Sequence, residues 1–210
     1  MEVLNRHDRK ASGKRSRLAQ VLRRAGYYLA VTLCLLSIFH SSLLVTSQPL
    51  RADEAAAVTR AIDLLEARGF AREVFLLRRL TLFRNTDNWL NEMTDKENAY
   101  AATNFPLNVI TLYPDFFMKA QDDTERAMVL LHEAQHLQGA NEPEAYAYVW
   151  RNRHRVGWTI LSHGTTESYV TIEAQTREVS PELFTCADKI WNDCTENLPS
   201  HRKSNVARSK

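Results

Sequence analysis

The first 50 residues of the chain consist of a basic segment followed by a long apolar one. No lysine, arginine, aspartate or glutamate occurs from Ala25 to Leu50, and a helix of about 20 apolar residues can cross a hydrocarbon core of about 30 Å. Residues 1–24 contain eight basic and two acidic residues. The positive-inside rule therefore predicts a cytoplasmic segment 1–24, a single uncleaved transmembrane signal-anchor helix over residues 25–48, and export of everything that follows. The alternative is a signal peptide that is cleaved near Ser47.

Beyond the apolar segment, hydrophobic positions recur mostly at helical spacing. This pattern predicts helices over Asp53–Gly69 and Phe70–Phe83. The following segment, Asn85–Asn104, is polar and rich in asparagine, which predicts a loop or a partly ordered excursion. Leu107–Tyr113 is rich in β-branched and aromatic residues and is predicted to form a short strand. Residues 51–200 have the size of one domain, and their elements predict an α+β fold, mostly helical with a short β-sheet.

The most regular pattern in this domain predicts a helix that ends near Gly139. Asp122 can cap its start, and Glu125 stands at the spacing of a capping box. Apolar residues then recur at helical intervals: Ala127, Leu130, Leu131, Ala134 and Leu137. Gly139 is placed to end the helix in a left-handed conformation. His132 and His136 therefore belong to the last turns, where residues four positions apart share one face.

A second helix is predicted directly after the first. It should begin near Asn141 or Glu142, because a proline follows in its first turn, and end at Gly157. The short connection would fold this helix back beside the histidines and bring one of two glutamates towards them. Glu142 lies on the apolar stripe, whereas Glu144 shares its side with two arginines. Glu142 is therefore the expected neighbour of the histidines, and Glu144 is the remaining alternative.

The residues His132, Glu133 and His136 form the pattern HExxH. Two imidazoles on one helical face can bind one zinc ion, and the glutamate between them can act as a base towards water. At this point the chain resembles the zincin metallopeptidases, over roughly residues 100–157. The resemblance implies a Zn²⁺ ion held by His132, His136 and Glu142, with Glu133 as the catalytic residue.

The segment that follows the motif is similar to two zincin patterns. Glu142 to Ala145 resembles the E-x-x-A opening of the glutamate helix in gluzincins. Glu142 also stands where the metzincin pattern HExxHxxGxxH has its third histidine, with Gly139 at the glycine of that pattern. Gluzincins usually place this glutamate much further along the chain, and Tyr146 replaces an acidic residue that often follows the alanine. The subfamily therefore stays open.

The resemblance implies a zinc-dependent metallopeptidase, with a zincin-like domain that hydrolyses peptide or protein substrates. The predicted anchor helix implies that this domain is membrane-anchored and lies outside the cytoplasm. In zincins, a strand just before the active-site helix often forms the rim of the cleft, so residues 107–113 are expected to form either such a rim or an ordinary edge strand. Candidates for stabilising the developing oxyanion are Tyr148, His163 and Tyr169. The alternative function is a non-catalytic zinc-binding or interaction module with a degenerate peptidase fold. Glu133 argues against it, because a structural zinc site needs no base.

The charge distribution argues against nucleic acid as a partner. The whole chain has 27 basic and 25 acidic residues, a net charge of +2. Without residues 1–24 and the basic tail 201–210, however, 15 basic residues stand against 23 acidic ones, a net charge of −8. An acidic exported domain is not expected to bind nucleic acid. The tail lacks apolar periodicity and is predicted to be disordered, and the oligomeric state stays open.

Two of the three cysteines, Cys186 and Cys194, belong to the predicted exported domain. An oxidising compartment favours a disulfide between them. Along a straight helix, however, their Cα atoms would lie about 12 Å apart, beyond the limit of about 7 Å for a disulfide. A bridge therefore requires a bend or loop between Ala187 and Asp193, and two unpaired thiols are the alternative.

Overall fold

The computed structural model describes residues 2–93 and 99–196 and divides the chain into two units. The first unit ends at Thr46 and consists of one helix, α1 (Glu2–Thr46). Its part from Ala19 to Thr46 is long and apolar enough to cross a membrane. The single long apolar helix of the sequence analysis is thus confirmed, although it begins well before residue 25. The predicted disordered tail 201–210 lies outside the described residues.

The second unit begins at Ser47 and is mostly helical, with a small three-stranded sheet. This content agrees with the predicted α+β class. Its longer elements are α2 (Ala52–Ala67), α3 (Ala71–Phe75), β1 (Leu82–Arg84), β2 (Ala101–Asn104), β3 (Val109–Leu112), α4 (Pro114–Met118), α5 (Asp123–His136), α6 (Glu142–Val156), α7 (Ile160–His163) and α8 (Glu167–Val179). A π-helical turn over Leu76–Leu80 extends α3, and 3₁₀ turns lie at Asn91–Met93, Pro181–Phe184 and Ile190–Asn192.

The sheet has the strand order β1-β3-β2, and all four residues of β3 are buried. β1 pairs with β3 in parallel, whereas β2 pairs with it antiparallel. The predicted strand over residues 107–113 is therefore confirmed as β3. The predicted helix Phe70–Phe83 is wrong at its end, because Leu82 and Phe83 pair with Val109 and Ile110 of β3 instead. Strand pairing in the folded chain thus overrides the local helical pattern.

The predicted loop Asn85–Asn104 is also partly wrong, because its last four residues form β2. Two buried asparagines, Asn88 and Asn91, are bonded to the sheet. Asn88 donates to the side chain of Asn104, Asn104 donates to Asn91, and Asn91 donates to Thr111 of β3, at 2.7–3.0 Å. Buried amides need such partners. The asparagine-rich composition therefore reflects a closed hydrogen-bond network.

Helix α5 packs against α2, α6 and β2, with its predicted apolar face buried in the core. Asp122 caps its start as predicted, accepting hydrogen bonds from the backbone of Thr124 and Glu125. The Glu125 carboxylate differs from the prediction. It accepts from the backbone N–H of Gln121, at 2.7 Å, and from the hydroxyl of Thr166. Glu125 thereby links the start of α5 to the start of α8.

Cys186 and Cys194 form a disulfide, with Cα atoms 5.1 Å apart. The required bend is the 3₁₀ turn at Ile190–Asn192, where Trp191 and Asn192 have positive φ angles. Asp193 and Glu196, which follow this turn, bind the buried guanidinium of Arg153 in α6. The segment 186–196 is therefore held by a covalent link within it and by ion pairs to α6.

Candidate metal centre

The end of α5 sets the orientation of His136. Gly139 has a φ of +85°, and the backbone bonds Ala140 N to Gln135 O and Gly139 N to His136 O follow the Schellman pattern of a helix end. This turn brings the carbonyl oxygen of Ala140 to 2.9 Å from Nδ1 of His136. A carbonyl oxygen only accepts hydrogen bonds, so Nδ1 carries the proton and Nε2 keeps its lone pair.

The start of α6 separates the two candidate glutamates. Asn141 and Glu144 form a capping box, in which each side chain binds the backbone N–H of the other at 3.0 Å. Glu144 is thereby engaged in the cap. Glu142 instead directs its carboxylate to the histidines, at the helix end whose dipole favours negative charge. Of the two alternatives left by the sequence, the structure brings Glu142 to the cluster.

His132, His136 and Glu142 place their possible ligand atoms close together. Nε2 of His132 and Nε2 of His136 are 2.9 Å apart, and the Glu142 oxygens lie 3.2 Å from the first and 3.4 Å from the second. Ligand atoms about 2.0–2.1 Å from a tetrahedral zinc ion lie about 3.3 Å from one another. The donor set of two imidazoles and one carboxylate also suits such an ion. This group can therefore hold one metal ion.

The pKa values of His136 and Glu142 are shifted because these side chains lie so close together. Burial alone lowers the pKa of His136, but the hydrogen bond to the Glu142 carboxylate and the charge of Glu133 outweigh it, and the pKa rises to about 9. Hydrogen bonds with His132 and His136 hold the pKa of Glu142 far below its usual range. Without a metal, a proton partly offsets the crowding of lone pairs. A bound cation would replace that proton.

Glu133 lies beside this group but is not one of its three members. Its side chain is buried, with 4% of the residue exposed, and Oε2 accepts a hydrogen bond of 2.6 Å from the hydroxyl of Thr103 on β2. This bond orients the carboxylate and connects it to the sheet. Because α5 is continuous here, Glu133 and the histidines are held by the same rigid element.

A cavity of about 660 Å³ opens beside the histidines. Its wall includes both histidines, Glu133, Glu142 and the residues Ala99–Thr103, which lead into β2 and form most of it. The expectation that residues 107–113 form the rim is therefore wrong, since β3 is central and buried while β2 is the edge strand at the cavity. The strand nearest in sequence to the helix is not the strand nearest to the site.

Tyr146 is a residue of the site that the sequence analysis left without a role. Its ring lies 4.5 Å from the His132 ring, and its hydroxyl donates a hydrogen bond of 2.7 Å to Gln175 of α8. Burial is the main cause that raises the pKa of Tyr146, so the hydroxyl keeps its proton. The only sequence signal was its place on the apolar stripe of α6, next to Glu142.

The three predicted oxyanion candidates engage other partners. Tyr148 donates its hydroxyl to Glu73, at 2.7 Å. His163 binds Asp122 and its neighbouring serine. The ring of Tyr169 packs between Trp150 and Trp158. Within the described residues, none of the three belongs to the cavity wall.

The arrangement thus combines a group that can hold a metal ion, a separate buried carboxylate and an open cavity beside an edge strand. Comparisons with family models, with curated proteins and with solved structures give no match for this chain.

Proposed function

We propose that this protein is a membrane-anchored, zinc-dependent metallopeptidase that hydrolyses peptide bonds outside the cytoplasm. The observation that carries the proposal is the convergence of His132, His136 and Glu142 next to a carboxylate, Glu133, that is not among them. A structural zinc site would have four protein ligands and no use for Glu133. Three ligands leave one position for water or substrate, which is the pattern of a catalytic site.

Zinc is the metal proposed, because two imidazoles and one carboxylate at these separations match its ligand preference. When bound, zinc supplies Lewis acidity, which lowers the pKa of water and polarises a carbonyl oxygen. The protein holds the His136 ring in place through Ala140 and the His132 ring through Tyr146. Such outer partners fix the direction of the lone pairs and strengthen metal binding.

Glu133 is the proposed general base and acid. Its carboxylate would take a proton from the water that attacks the peptide carbonyl, and would then deliver that proton to the leaving amine. The hydrogen bond from Thr103 engages Oε2 and fixes the carboxylate orientation. A base held on a rigid helix and by a second element needs little reorganisation during the reaction.

The edge strand β2 is the proposed binding surface for the peptide. In its antiparallel pairing, hydrogen bonds to β3 alternate along the strand, and Tyr113 N binds Tyr100 O. The alternation directs the N–H and C=O groups of Ala101 and Thr103 away from β3. An extended peptide can pair with such groups. Thr103 then joins the two functions, because its backbone lies on the free edge and its hydroxyl binds Glu133.

The substitution Glu133→Gln tests this mechanism, because it removes the base and keeps the size of the side chain. We expect the full chain in detergent to retain about one zinc ion, and its hydrolysis of a fluorogenic peptide library to fall roughly 10²- to 10⁴-fold. Glu144→Gln is the matched control and should retain activity. Activity that survives Glu133→Gln would show that another residue is the base. A wild-type protein with full zinc that cleaves no peptide would support the non-catalytic module instead.

The proposed topology places the N-terminus in the cytoplasm and the domain after Ser47 outside, because basic residues precede the apolar helix. A reporter fused after Lys210 that works only outside the cytoplasm should be active, and a reporter that works only inside should be silent. An uncleaved anchor predicts that the full-length chain stays in the membrane fraction at high pH. A shorter, released species would indicate cleavage, and a cytoplasmic reporter signal would contradict export.

A further inference from the structure

Helix α8 contributes a carboxylate to the cavity wall that the proposed chemistry does not use. Ile172, Gln175, Glu178 and Val179 line the cavity from one face of this helix. The end of α8 is tied to the start of α6 by the hydroxyl of Ser180, which donates to the carbonyl oxygen of Pro143 at 3.0 Å. The segment that carries Glu178 is therefore held next to Pro143, which directly follows Glu142.

No basic residue neutralises Glu178 within the part of the chain that the structure describes. Its neighbour Arg177 binds Glu173 at 2.8 Å and lies over the ring of Phe184, 3.9 Å from its centre. The described wall of the cavity contains no lysine or arginine. Glu178 is exposed, so its charge costs little to maintain and is available to a ligand.

The charges in the cavity also leave the carboxylate of Glu178 without compensation when a divalent ion is bound. A divalent ion would be offset by the carboxylates of Glu142 and Glu133, with the histidines neutral. Glu178 then leaves a net charge of about −1, and the carboxyl end of α8 adds to the negative potential. The wall of the same cavity also contains apolar residues, among them Val149, Ile172 and Val179. A lysine or arginine side chain has the matching form, an apolar stem that ends in a positive charge.

We infer that Glu178 determines specificity, by selecting a lysine or arginine side chain of the peptide bound in this cavity. This inference rests on the proposed peptidase function, because it assigns the substrate class of the same cavity. Glu178 acts on the substrate and not on the metal, so zinc content is independent of it.

The test uses peptides that differ at one position: lysine, arginine, norleucine or glutamate. For the zinc-loaded full chain, we expect kcat/KM to favour the basic peptides roughly tenfold over norleucine, as for a hydrogen bond to a charged group. Glu178→Gln should abolish this preference, and Glu178→Lys should transfer it to the glutamate peptide. Glu182→Gln is the matched control, since Glu182 is also exposed and lies just after α8, outside the cavity wall. It should keep the wild-type preference.

A binding measurement with the Glu133→Gln chain separates the two proposals. Fluorescence anisotropy should show tighter binding of the basic peptides, which a second substitution at Glu178 removes. If the wild type cleaves peptides without charge preference, or Glu178→Gln keeps the preference, the inference is wrong while the peptidase function stands. If basic peptides bind through Glu178 but are never cleaved, the inference stands and the peptidase function fails. If no peptide binds, both fail.

Discussion

Two clusters of charged residues lie near opposite ends of α6, and they differ in the kinds of atoms that meet. Near the end of the helix, the guanidinium of Arg153 is completely buried and donates to Asp193 at 2.8 Å, to Glu196 at 2.6 Å and to the carbonyl oxygen of Trp150 at 2.7 Å. At the beginning, the Nε2 atoms of the two histidines and the carboxylate oxygens of Glu142 converge to 2.9–3.4 Å, so a proton or a cation must lie among their lone pairs. One cluster pairs donors with acceptors, and the other gathers atoms that can all serve as metal ligands.

This difference distinguishes a structural cluster from a binding site. Donors and acceptors that satisfy each other stabilise the fold and leave nothing for a ligand. Converging lone pairs repel one another until a proton or a cation lies among them, and the raised pKa of His136 reflects this. Exposure agrees with this interpretation, since the Glu142 side chain is 61% exposed whereas that of Arg153 is 0% exposed. The metal group is accessible, and the Arg153 cluster is sealed.

The largest expected effect is the loss of metal from the cluster of His132, His136 and Glu142. We expect His132→Ala and His136→Ala each to reduce zinc from about one ion per chain to none after dialysis, because two ligands cannot hold it. Glu142→Ala should weaken zinc binding far more than its control Glu144→Ala, as measured by competition with a chelator. Helix content, measured by circular dichroism, should not change. Unchanged zinc content in both histidine variants would show that this cluster does not bind the metal. The opposite ranking of the two glutamate variants would make Glu144 the third ligand.

The next largest expected effect is a loss of folding stability when the Arg153 cluster is disrupted. Arg153→Ala should lower the free energy of unfolding by about 3–5 kcal/mol, because it leaves the buried carboxylate of Asp193 without its positively charged partner. Arg151→Ala is the control, since Arg151 is exposed on the same helix, and should change it by about 0.5 kcal/mol or less. Denaturant unfolding in the presence of a chelator measures both values. Equal costs for the two variants would show that the buried cluster does not stabilise the fold.

The smallest effect separates helix geometry from metal orientation. Gly139 and Gly157 both have positive φ angles, of +85° and +89°, so alanine should cost about 1 kcal/mol of stability at either position. Gly139→Ala should also weaken zinc binding about tenfold, because it disturbs the turn that holds Ala140 against His136. Gly157→Ala should leave zinc affinity unchanged. Equal zinc affinities in the two variants would mean that the turn does not orient His136.

Local patterns along the chain were sufficient for the helices that carry the site. The cap at Asp122, the left-handed residue at Gly139 and the helix start near Glu142 were all predicted, because each depends on neighbours within about five positions. The disulfide between Cys186 and Cys194 was favoured over two unpaired thiols, on the condition of a bend between them, and the structure confirms it.

Contacts between distant segments were not predictable in this way. Ala101–Asn104 has no strand pattern and becomes an edge strand only by pairing with β3, and Leu82 and Phe83 leave a helical pattern for the same reason. The sequence assigned no role to Arg153, and it is buried because residues about 40 positions away bring carboxylates to it. Single positions carry no signal of such partners.

The sequence by itself determined the long apolar helix, the helical spacing of His132 and His136 and the presence of Glu133 between them, because these are properties of neighbouring residues. Only the tertiary structure decided that Glu142 and not Glu144 meets the histidines, that Thr103 binds Glu133, and that Glu178 faces the cavity. Those outcomes depend on how α5, α6, α8 and β2 pack. Packing buries apolar surface from residues far apart in the chain. The free energy gained in this way depends on pairs of distant segments and cannot be inferred from any single position of the sequence.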